Sequence, residues 1–213
     1  MAKENYSNAP LRFFLDKLCS KSPEPGGGSA SALVAATSAG LCGMLAALTV
    51  NKKGYEESWD EMKKIYEKAN RLKDEMLDLL QKDTEAFDDA AKAFKMPKET
   101  EEQKKIRAEA IEKGLKKATE VPLAIMEKSL EIARLAISTL KKGNEMAITD
   151  GAISALFADS AAMGAMFNVR INFKWMKDKD YVLKTEKRLN DILDETRKIK
   201  EEALEYTLEK IGK

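Results

Sequence analysis

Between Pro25 and Asn51 the chain reads PGGGSASALVAATSAGLCGMLAALTVN, without a single charged residue. Such a run is long enough to span a lipid bilayer. Its many glycines, serines and threonines weaken the free energy of transfer into lipid, so we favour a helix buried on all sides in a soluble protein over a membrane span. A helix of that kind needs other helices around it, and this requirement decides the fold.

Small residues recur at helical spacing inside the uncharged run. Ala35, Ala39 and Gly43 stand four residues apart, and Gly40 belongs to an adjacent row. Ridges of small residues let helix backbones approach closely, which indicates a central or interface helix. Ser29 follows three glycines and is the predicted N-cap of this helix.

A second segment, from Asn144 to Phe173, is also largely uncharged and predicts a second central helix. Amphipathic helical patterns surround these two segments, at residues 11–20, 58–94, 100–118, 122–143 and 180–211. No segment shows the alternation typical of a strand. The pattern predicts an all-α protein: one domain over residues 1–213, a single bundle of about six to seven helices with two largely uncharged helices at its centre.

Helix ends are predicted from capping and breaking residues. Capping boxes are expected at Ser58–Glu61 and at Thr100–Gln103. Pro122 is expected in the first turn of a new helix, and Gly143 is expected to end that helix in a left-handed conformation.

Composition excludes several classes of chemistry. The 213 residues contain no histidine, so catalytic systems and metal sites that depend on histidine are excluded, and we predict no metal. A net charge of +1 argues against nucleic acid as a partner. Cys19 and Cys42 form neither a CxxC pair nor a disulfide framework, and residues 1–10 lack the apolar core of a signal peptide, so we expect a cytoplasmic protein.

Asp83 interrupts an otherwise apolar seam. Residues from Met62 to Ala90 recur on one face at alternating steps of three and four, and Asp83 falls on that face between Leu79 and Ala86. Burial raises the pKa of a carboxyl group, which suits a general acid or base. A buried ion pair or a hydrogen bond to a neighbouring helix is the structural alternative.

Other polar residues have two interpretations each. Thr149 or Asp150 can cap the second central helix, or Asp150 can bind a ligand. Asn168 and Asn172 lie one helical turn apart and can bind a polar ligand or join two helices. Lys52 and Lys53 are ordinary residues for the end of a helix, and they can also meet an anionic substrate.

The glycine-rich turn before the uncharged helix, Gly26-Gly27-Gly28-Ser29, exposes backbone amides at the positive end of a helix dipole. It lacks the Gly-Lys-Ser/Thr ending of a phosphate-binding loop, and no strand precedes it, so we do not predict nucleotide binding. A flexible corner between helices is the alternative.

Several short motifs occur together along the chain: SPEPGGGS (22–29), LTVNKK (48–53), DTEAF (83–87), VPL (121–123), GN (143–144), TD (149–150) and FNVRIN (167–172). In these segments and in their order, the chain resembles the cyclodeaminase/cyclohydrolase family of folate enzymes. The resemblance spans nearly the whole sequence. Thr149 stands where relatives usually have serine, and Ala47, Asn51 and Met146 also depart from the pattern, which affects substrate preference more than fold.

The resemblance implies an all-helical homodimer or larger oligomer that acts on a tetrahydrofolate derivative without a tightly bound cofactor. It implies that Asp83 is the catalytic residue that moves the proton. It also implies substrate-binding roles for the glycine turn, for two lysines and for several polar residues. Lys52 or Lys53 would meet the folate carboxylates. The full substrate-binding set is Gly26, Gly27, Gly28, Ser29, Lys52, Lys53, Asn144, Asp150, Asn168 and Asn172.

Two reactions fit this family. The first is cyclodeamination, which converts formiminotetrahydrofolate to methenyltetrahydrofolate and releases ammonia, and which requires a separate formiminotransferase as a partner. The alternative is hydrolysis of methenyltetrahydrofolate by a stand-alone cyclohydrolase. A helical oligomerisation scaffold without activity is a remote third reading, because it leaves Asp83 and the glycine turn unexplained.

Overall fold

The computed structural model describes residues 4–212, which form seven α-helices and three short 3-10 turns. The helices are α1 (Leu11–Leu18), α2 (Gly27–Thr49), α3 (Trp59–Ala86), α4 (Asp88–Phe94), α5 (Glu101–Lys142), α6 (Ile148–Phe173) and α7 (Lys179–Lys210). No strand occurs among the described residues, which confirms the all-α prediction.

Helices α2 and α6 lie side by side in the middle of the bundle. They run antiparallel, since Ser38 bonds to Ser154 near their centres while Gly27 lies beside Asn168 at one end. Helix α2 also packs on α3 and α5, and α6 packs on α5 and α7. Both helices are long and apolar enough to cross a membrane by length and composition alone, and 56% of each such window is buried inside the protein. The two uncharged helices are therefore central, although each keeps one outward face.

Helix α1 differs from its prediction. The amphipathic pattern over residues 11–20 predicts one apolar face, formed by Leu11, Phe14, Leu15 and Leu18, but of these only Phe14 is buried. Phe14 packs edge-on against Tyr6, which belongs to a short 3-10 turn ahead of α1. Phe14 and Tyr6 both belong to the buried core, so this N-terminal segment contacts the bundle through these two aromatic side chains.

The long predicted helix over residues 58–94 is broken at Phe87. Helix α3 ends at Ala86, and α4 turns towards α5. Gly114 of α5 makes this contact possible, since a Cβ atom there would lie 2.8 Å from the backbone of Ala90. The close approach of α4 to α5 accounts for the change in direction.

Helix α5 is continuous where two helices were predicted. Pro122 lies inside it rather than at a new first turn. Buried residues on both sides of the proline, including Leu115, Thr119, Ile125 and Met126, fix the chain against the core. A proline removes one backbone donor, and burial of both flanks outweighs that local loss.

Two predicted helix ends are also corrected, while the capping box at Thr100–Gln103 is confirmed. Ser58 makes no capping bond, because its backbone is helical (φ −96°, ψ −10°) whereas a capping residue is extended. The Glu61 side chain instead accepts hydrogen bonds from Lys142 and Ser138. Gly143 ends α5 in an extended conformation, φ −88°, and not in the left-handed region. A Cβ atom there would clash with the backbone carbonyl oxygen of Thr139 and would also lie 2.8 Å from Leu45 Cδ2, so close packing requires this glycine.

Candidate active site

Asp83 lies in the last turn of α3, beside the first turn of α2. Its Oδ2 accepts a hydrogen bond of 2.9 Å from the Ser29 hydroxyl, and the Ser29 backbone N–H also bonds to the carboxylate. Ser29 is thus not the N-cap of α2, as the sequence suggested, because that position is held by Gly26. The serine instead joins the positive end of the α2 dipole to the carboxylate.

At position 28, only a glycine leaves room for the Asp83 carboxyl group. A Cβ atom at this position would lie 2.6 Å from the Asp83 Cγ, a distance that real Cβ contacts do not reach. The carboxylate therefore sits directly on the backbone of α2. The sequence predicts that the glycine turn exposes its backbone, and at Gly28 the backbone lies against the Asp83 carboxyl group.

The pKa of Asp83 is raised above its ordinary value because burial penalises the charged form. The hydroxyl and the backbone N–H of Ser29 act in the opposite direction, since both stabilise the carboxylate. No cation is among the causes of the shift. A carboxyl group in this environment exchanges a proton closer to neutral pH than an exposed aspartate does, as acid–base catalysis requires.

Asp83 opens into a cleft of about 600 Å³, a volume typical of small-molecule sites. Glu24 and Asp88 also line the cleft, which gives three carboxylates and no lysine or arginine among the described residues that line it. Phe87 and Trp175 add aromatic surface. The cleft is therefore electronegative and partly aromatic, and it suits a flat, positively charged ligand.

Asn168 and Asn172 line the same cleft from α6. The Asn168 side-chain nitrogen donates 3.0 Å to the Gly164 carbonyl, which leaves its amide oxygen for other partners. Arg170, between them in sequence, points away and binds Glu186 and Asn190 of α7. The structure thus brings both predicted amides to Asp83 and the glycine turn.

The remaining predicted residues, Lys52, Lys53, Asn144 and Asp150, lie at the other end of the bundle. The length of α2 separates the two groups, about 33 Å at 1.5 Å per residue. Within one chain, therefore, these four residues do not reach Asp83.

This second group has its own contacts. The Lys52 Nζ donates 2.9 Å to Asn144 Oδ1, and the same oxygen accepts from the Met146 backbone N–H. Asp150 lies in the first turn of α6, whose N-cap is Ala147, so neither Thr149 nor Asp150 caps that helix. The group forms a polar end to α2 and α6.

Sequence reasoning missed several residues that line the cleft. Glu24 and Phe87 stood inside quoted motifs but received no role, and Asp88 follows directly after one. Trp175 had no signal, because it lies beyond the apolar segment and reaches the cleft only through the packing of α6. Across residues 4–212, no three histidine, cysteine, aspartate or glutamate side chains lie close enough together to hold a metal ion.

Fold and cleft together define a class: an all-helical protein with a desolvated carboxylate at a helix N-terminus in an electronegative cleft. The family described as formiminotransferase-cyclodeaminase matches residues 10–191. The chain belongs to this family.

Individual relatives agree with the family. Methenyltetrahydrofolate cyclohydrolase of Methylorubrum extorquens is 35% identical, over 96% of this chain and 99% of that protein. Formimidoyltransferase-cyclodeaminase of Sus scrofa is 30% identical, and the match spans only 36% of its length. The crystal structure of formiminotetrahydrofolate cyclodeaminase from Thermotoga maritima superposes with a TM-score of 0.78 at 27% identity, covering 95% of this chain and 96% of that one.

Proposed function

We propose that the protein is a folate enzyme that acts on the one-carbon bridge between N5 and N10 of tetrahydrofolate, with Asp83 as the residue that carries the proton. The observation that supports this most directly is the charge of the cleft. Its described lining holds three carboxylates and no basic residue, and both substrates of this chemistry carry a cationic amidine-like carbon. Fixed negative charge near that carbon stabilises the cation and the groups that form from it.

For hydrolysis, water attacks the methenyl carbon of 5,10-methenyltetrahydrofolate and forms a tetrahedral adduct. Asp83, as carboxylate, accepts the proton of the attacking water. The carbon–N5 bond then breaks as Asp83 returns this proton to N5, the hydroxyl proton of the adduct is released to solvent as the formyl C=O forms, and 10-formyltetrahydrofolate remains. A carboxyl group whose pKa is raised towards neutral can accept and return a proton in one turnover.

Substrate recognition follows from the rest of the cleft. We assign the pterin ring to the backbone at Gly26 and Gly27 and to the amides of Asn168 and Asn172, because pterins present hydrogen-bond donors and acceptors along one edge. The aromatic side chains that line the cleft, Phe87 and Trp175, supply a stacking surface for a flat ring. No metal or tightly bound cofactor enters this proposal.

Hydrolysis is favoured by the match to a cyclohydrolase over its whole length. Cyclodeamination is the second candidate, supported by the structural match to a cyclodeaminase of similar size. In that reaction N10 attacks the formimino carbon, Asp83 takes the proton from N10 and passes it to the departing ammonia, and methenyltetrahydrofolate forms. A separate formiminotransferase would then supply the substrate.

We also propose a cytoplasmic homodimer, with nucleic acid and membrane excluded as partners. The outward faces of α2 and α6 carry exposed apolar residues, including Met44, Phe167 and Ile171. Contiguous apolar surface of this kind is typical of an interface between proteins.

The test offers purified protein both substrates. Loss of methenyl absorbance reports hydrolysis, and ammonia release from formiminotetrahydrofolate reports cyclodeamination. Asp83→Asn is nearly isosteric but cannot exchange a proton, so we expect turnover to fall by about 100-fold or more with the fold retained. Asp78→Asn, on the exposed side of the same helix, is the matched control and should keep full turnover.

Wild-type turnover in Asp83→Asn would remove the assigned role. Absence of turnover with either substrate, together with no thermal stabilisation by reduced folate, would instead support the scaffold reading, because a ligand of the native state must raise the melting temperature.

A further inference from the structure

Residues 4–8 lie against the last turns of α3, close to Asp83. The Gln81 side chain makes two hydrogen bonds to their backbone: its Oε1 accepts 2.8 Å from the Tyr6 N–H, and its Nε2 donates 3.1 Å to the Glu4 carbonyl. A carboxamide offers both an acceptor and a donor, so this one side chain fixes the segment at two points. We call residues 4–8 the N-terminal strap.

The N-terminal strap is also tied to α1. The Tyr6 ring is buried and packs edge-on against Phe14. The Tyr6 hydroxyl donates 2.8 Å to the Glu4 carboxylate, which pairs with Lys17 at 3.0 Å. The N-terminal strap is therefore held between α1 on one side and Gln81 on the other.

The N-terminal strap further lies near the turn that leads into α2. The pKa of Tyr6 is raised to about 12 by burial first, then by the hydrogen bond to Glu4 and by the negative charges of Glu4 and Glu24. Glu24 belongs to that turn and lines the Asp83 cleft. The N-terminal strap thus lies close to both elements that meet at the active site, the end of α3 and the entry to α2.

Asp83 depends on a firm helix end because it belongs to the last turn of α3, which ends at Ala86. The carbonyl groups of a last turn lack partners within the helix, so helix ends fray. Fraying of this turn would move the Asp83 Oδ2 away from the Ser29 hydroxyl, which now lies at 2.9 Å. Misplacement of a catalytic group by about 1 Å can lower a rate by about 100-fold.

We propose that Gln81 is a positioning residue of the active site: by binding the N-terminal strap, it holds the end of α3 so that the Asp83 carboxylate stays on Ser29 and on the backbone of Gly28. This inference rests on the proposed function, in which Asp83 moves the proton. Gln81 is not one of the described residues that line the cleft, so its effect on the reaction passes through Asp83.

The pKa of Asp83 reports its position, because the charged groups around it do not set that pKa. They are Glu4 of the N-terminal strap, Glu24 before α2, the exposed Lys82 and Glu85 of α3, and Asp88 of α4. Helix α2 carries no charge, and α5 and α6 line the cleft with uncharged residues. The causes of the raised pKa are burial and, in the opposite direction, two bonds from Ser29. A carboxyl group that leaves this position therefore regains an ordinary pKa.

The first test needs no substrate. In protein labelled at the aspartate carboxyl carbons, NMR titration measures the pKa of Asp83, whose resonance is the one missing from Asp83→Asn. Gln81→Leu keeps the size of the side chain and removes both bonds, so we expect the pKa of Asp83 to fall towards its ordinary value of 3.8. An unchanged or higher pKa would overturn the proposal.

Gln103→Leu is the matched control. The Gln103 side chain also binds backbone, at the N–H groups of Glu99 and Thr100. It lies about 22 Å along α5 from Ala118, which lines the cleft. This variant should lose stability while the pKa of Asp83 stays in place. A fall of the Asp83 pKa in both variants would trace the effect to general loosening and overturn the role of Gln81.

The second test is steady-state kinetics with methenyltetrahydrofolate. We expect Gln81→Leu to lose between about 10- and 100-fold in kcat with KM within about twofold of wild type, because the cleft surfaces that bind the substrate remain. Gln103→Leu should keep its kcat. Equal kcat in the two variants, measured well below their melting temperatures, would contradict the positioning role.

Gln81→Glu is the conservative variant, and it serves in place of Gln81→Leu if the leucine variant does not fold. It keeps the acceptor for the Tyr6 N–H and loses the donor to the Glu4 carbonyl. We expect a severalfold loss of kcat, smaller than in Gln81→Leu, and wild-type kcat would overturn the proposal. Failure of the proposed function would look different: the wild type would turn over neither substrate, while the titration would still show whether Gln81 holds Asp83 in place.

Discussion

The two ends of α2 hold groups of opposite charge in different environments. At the N-terminal end, a carboxylate lies against the helix backbone with only neutral donors from Ser29, and its pKa is raised. At the C-terminal end, Lys52 is held by the Asn144 amide and lies 5.9 Å from the centre of the Tyr55 ring. At the N-terminal end, burial destabilises the ionised form of Asp83, so this group can exchange a proton during a reaction. At the C-terminal end, the partners of Lys52 stabilise its charge. Chemistry is therefore expected at the first end and binding or stability at the second.

The largest effect is expected from Gly28→Ala. The new Cβ would displace the Asp83 carboxyl group, so we expect turnover to fall by about 100-fold, the scale of a lost acid–base group. Gly43→Ala is the matched control in the same helix, because its Cβ would make an ordinary contact of 3.5 Å with Ala69. The measurement is the steady-state turnover of both variants. Equal turnover would show that the Asp83 carboxyl group tolerates a Cβ atom at position 28.

A smaller effect is expected from Ser29→Ala. The hydroxyl stabilises the ionised form of Asp83, so its removal raises the pKa of Asp83 further. A catalytic base must be ionised, so the acidic limb of the kcat/KM profile should move to higher pH, with a severalfold loss below the plateau. A limb that stays in place, or moves to lower pH, would argue against Asp83 as the base. The N-terminal end of α2 would then serve binding or stability, as the C-terminal end does, and not proton transfer.

Asn144→Ala disturbs the opposite end. It removes the acceptor of both Lys52 and the Met146 backbone N–H, so we expect a loss of about 1 kcal/mol in the free energy of unfolding. Urea denaturation measures this loss. The acidic limb of the activity profile should not move, because no contact joins Asn144 to Asp83 in the chain. A shifted limb would indicate that the two ends are coupled.

The smallest effect concerns stability and pH. The pKa of Asp83 is raised in the folded state, so its contribution to stability is complete below the ordinary value of 3.8 and is lost as pH rises through the folded value. Asp83→Asn should therefore raise the melting temperature by a few degrees at neutral pH and not in acid. Asp159→Asn provides the contrast, because it removes the negative charge that pairs with Lys200 at 3.0 Å and should lower the melting temperature. Calorimetry at two pH values tests both expectations.

Periodicity was sufficient for the helices that repeat a regular pattern over many turns. It placed Met62, Ile65, Ala69, Leu72 and Met76 inward on α3, and all five are buried. It also placed Asp83 on the same seam, which the structure bears out in part, because the side chain is half-buried at the cleft. Because the other positions on this face are apolar, the sequence alone identifies Asp83 as the one charged residue there.

Local rules failed where a distant contact decides the geometry. Ser29 looks like a cap, but its partner is Asp83, 54 residues away. Pro122 looks like a helix start, but packing on both sides keeps α5 continuous. The distance between Lys52 and Asp83 also escaped prediction, since the sequence places Lys52 at the C-terminal end of the uncharged helix but does not show which end of that helix Asp83 contacts.

The two cysteines have a practical consequence. Cys42 is fully buried, and burial raises the pKa of its thiol to about 12, so a thiol-directed dye cannot react with it in the folded protein at neutral pH. Cys19 is exposed, directly after α1 and before the turn that carries Glu24 to the cleft. A maleimide fluorophore would thus label the native sequence at one position, five residues before Glu24 of the cleft, where its emission can be tested as an optical reporter of ligand binding without any mutation.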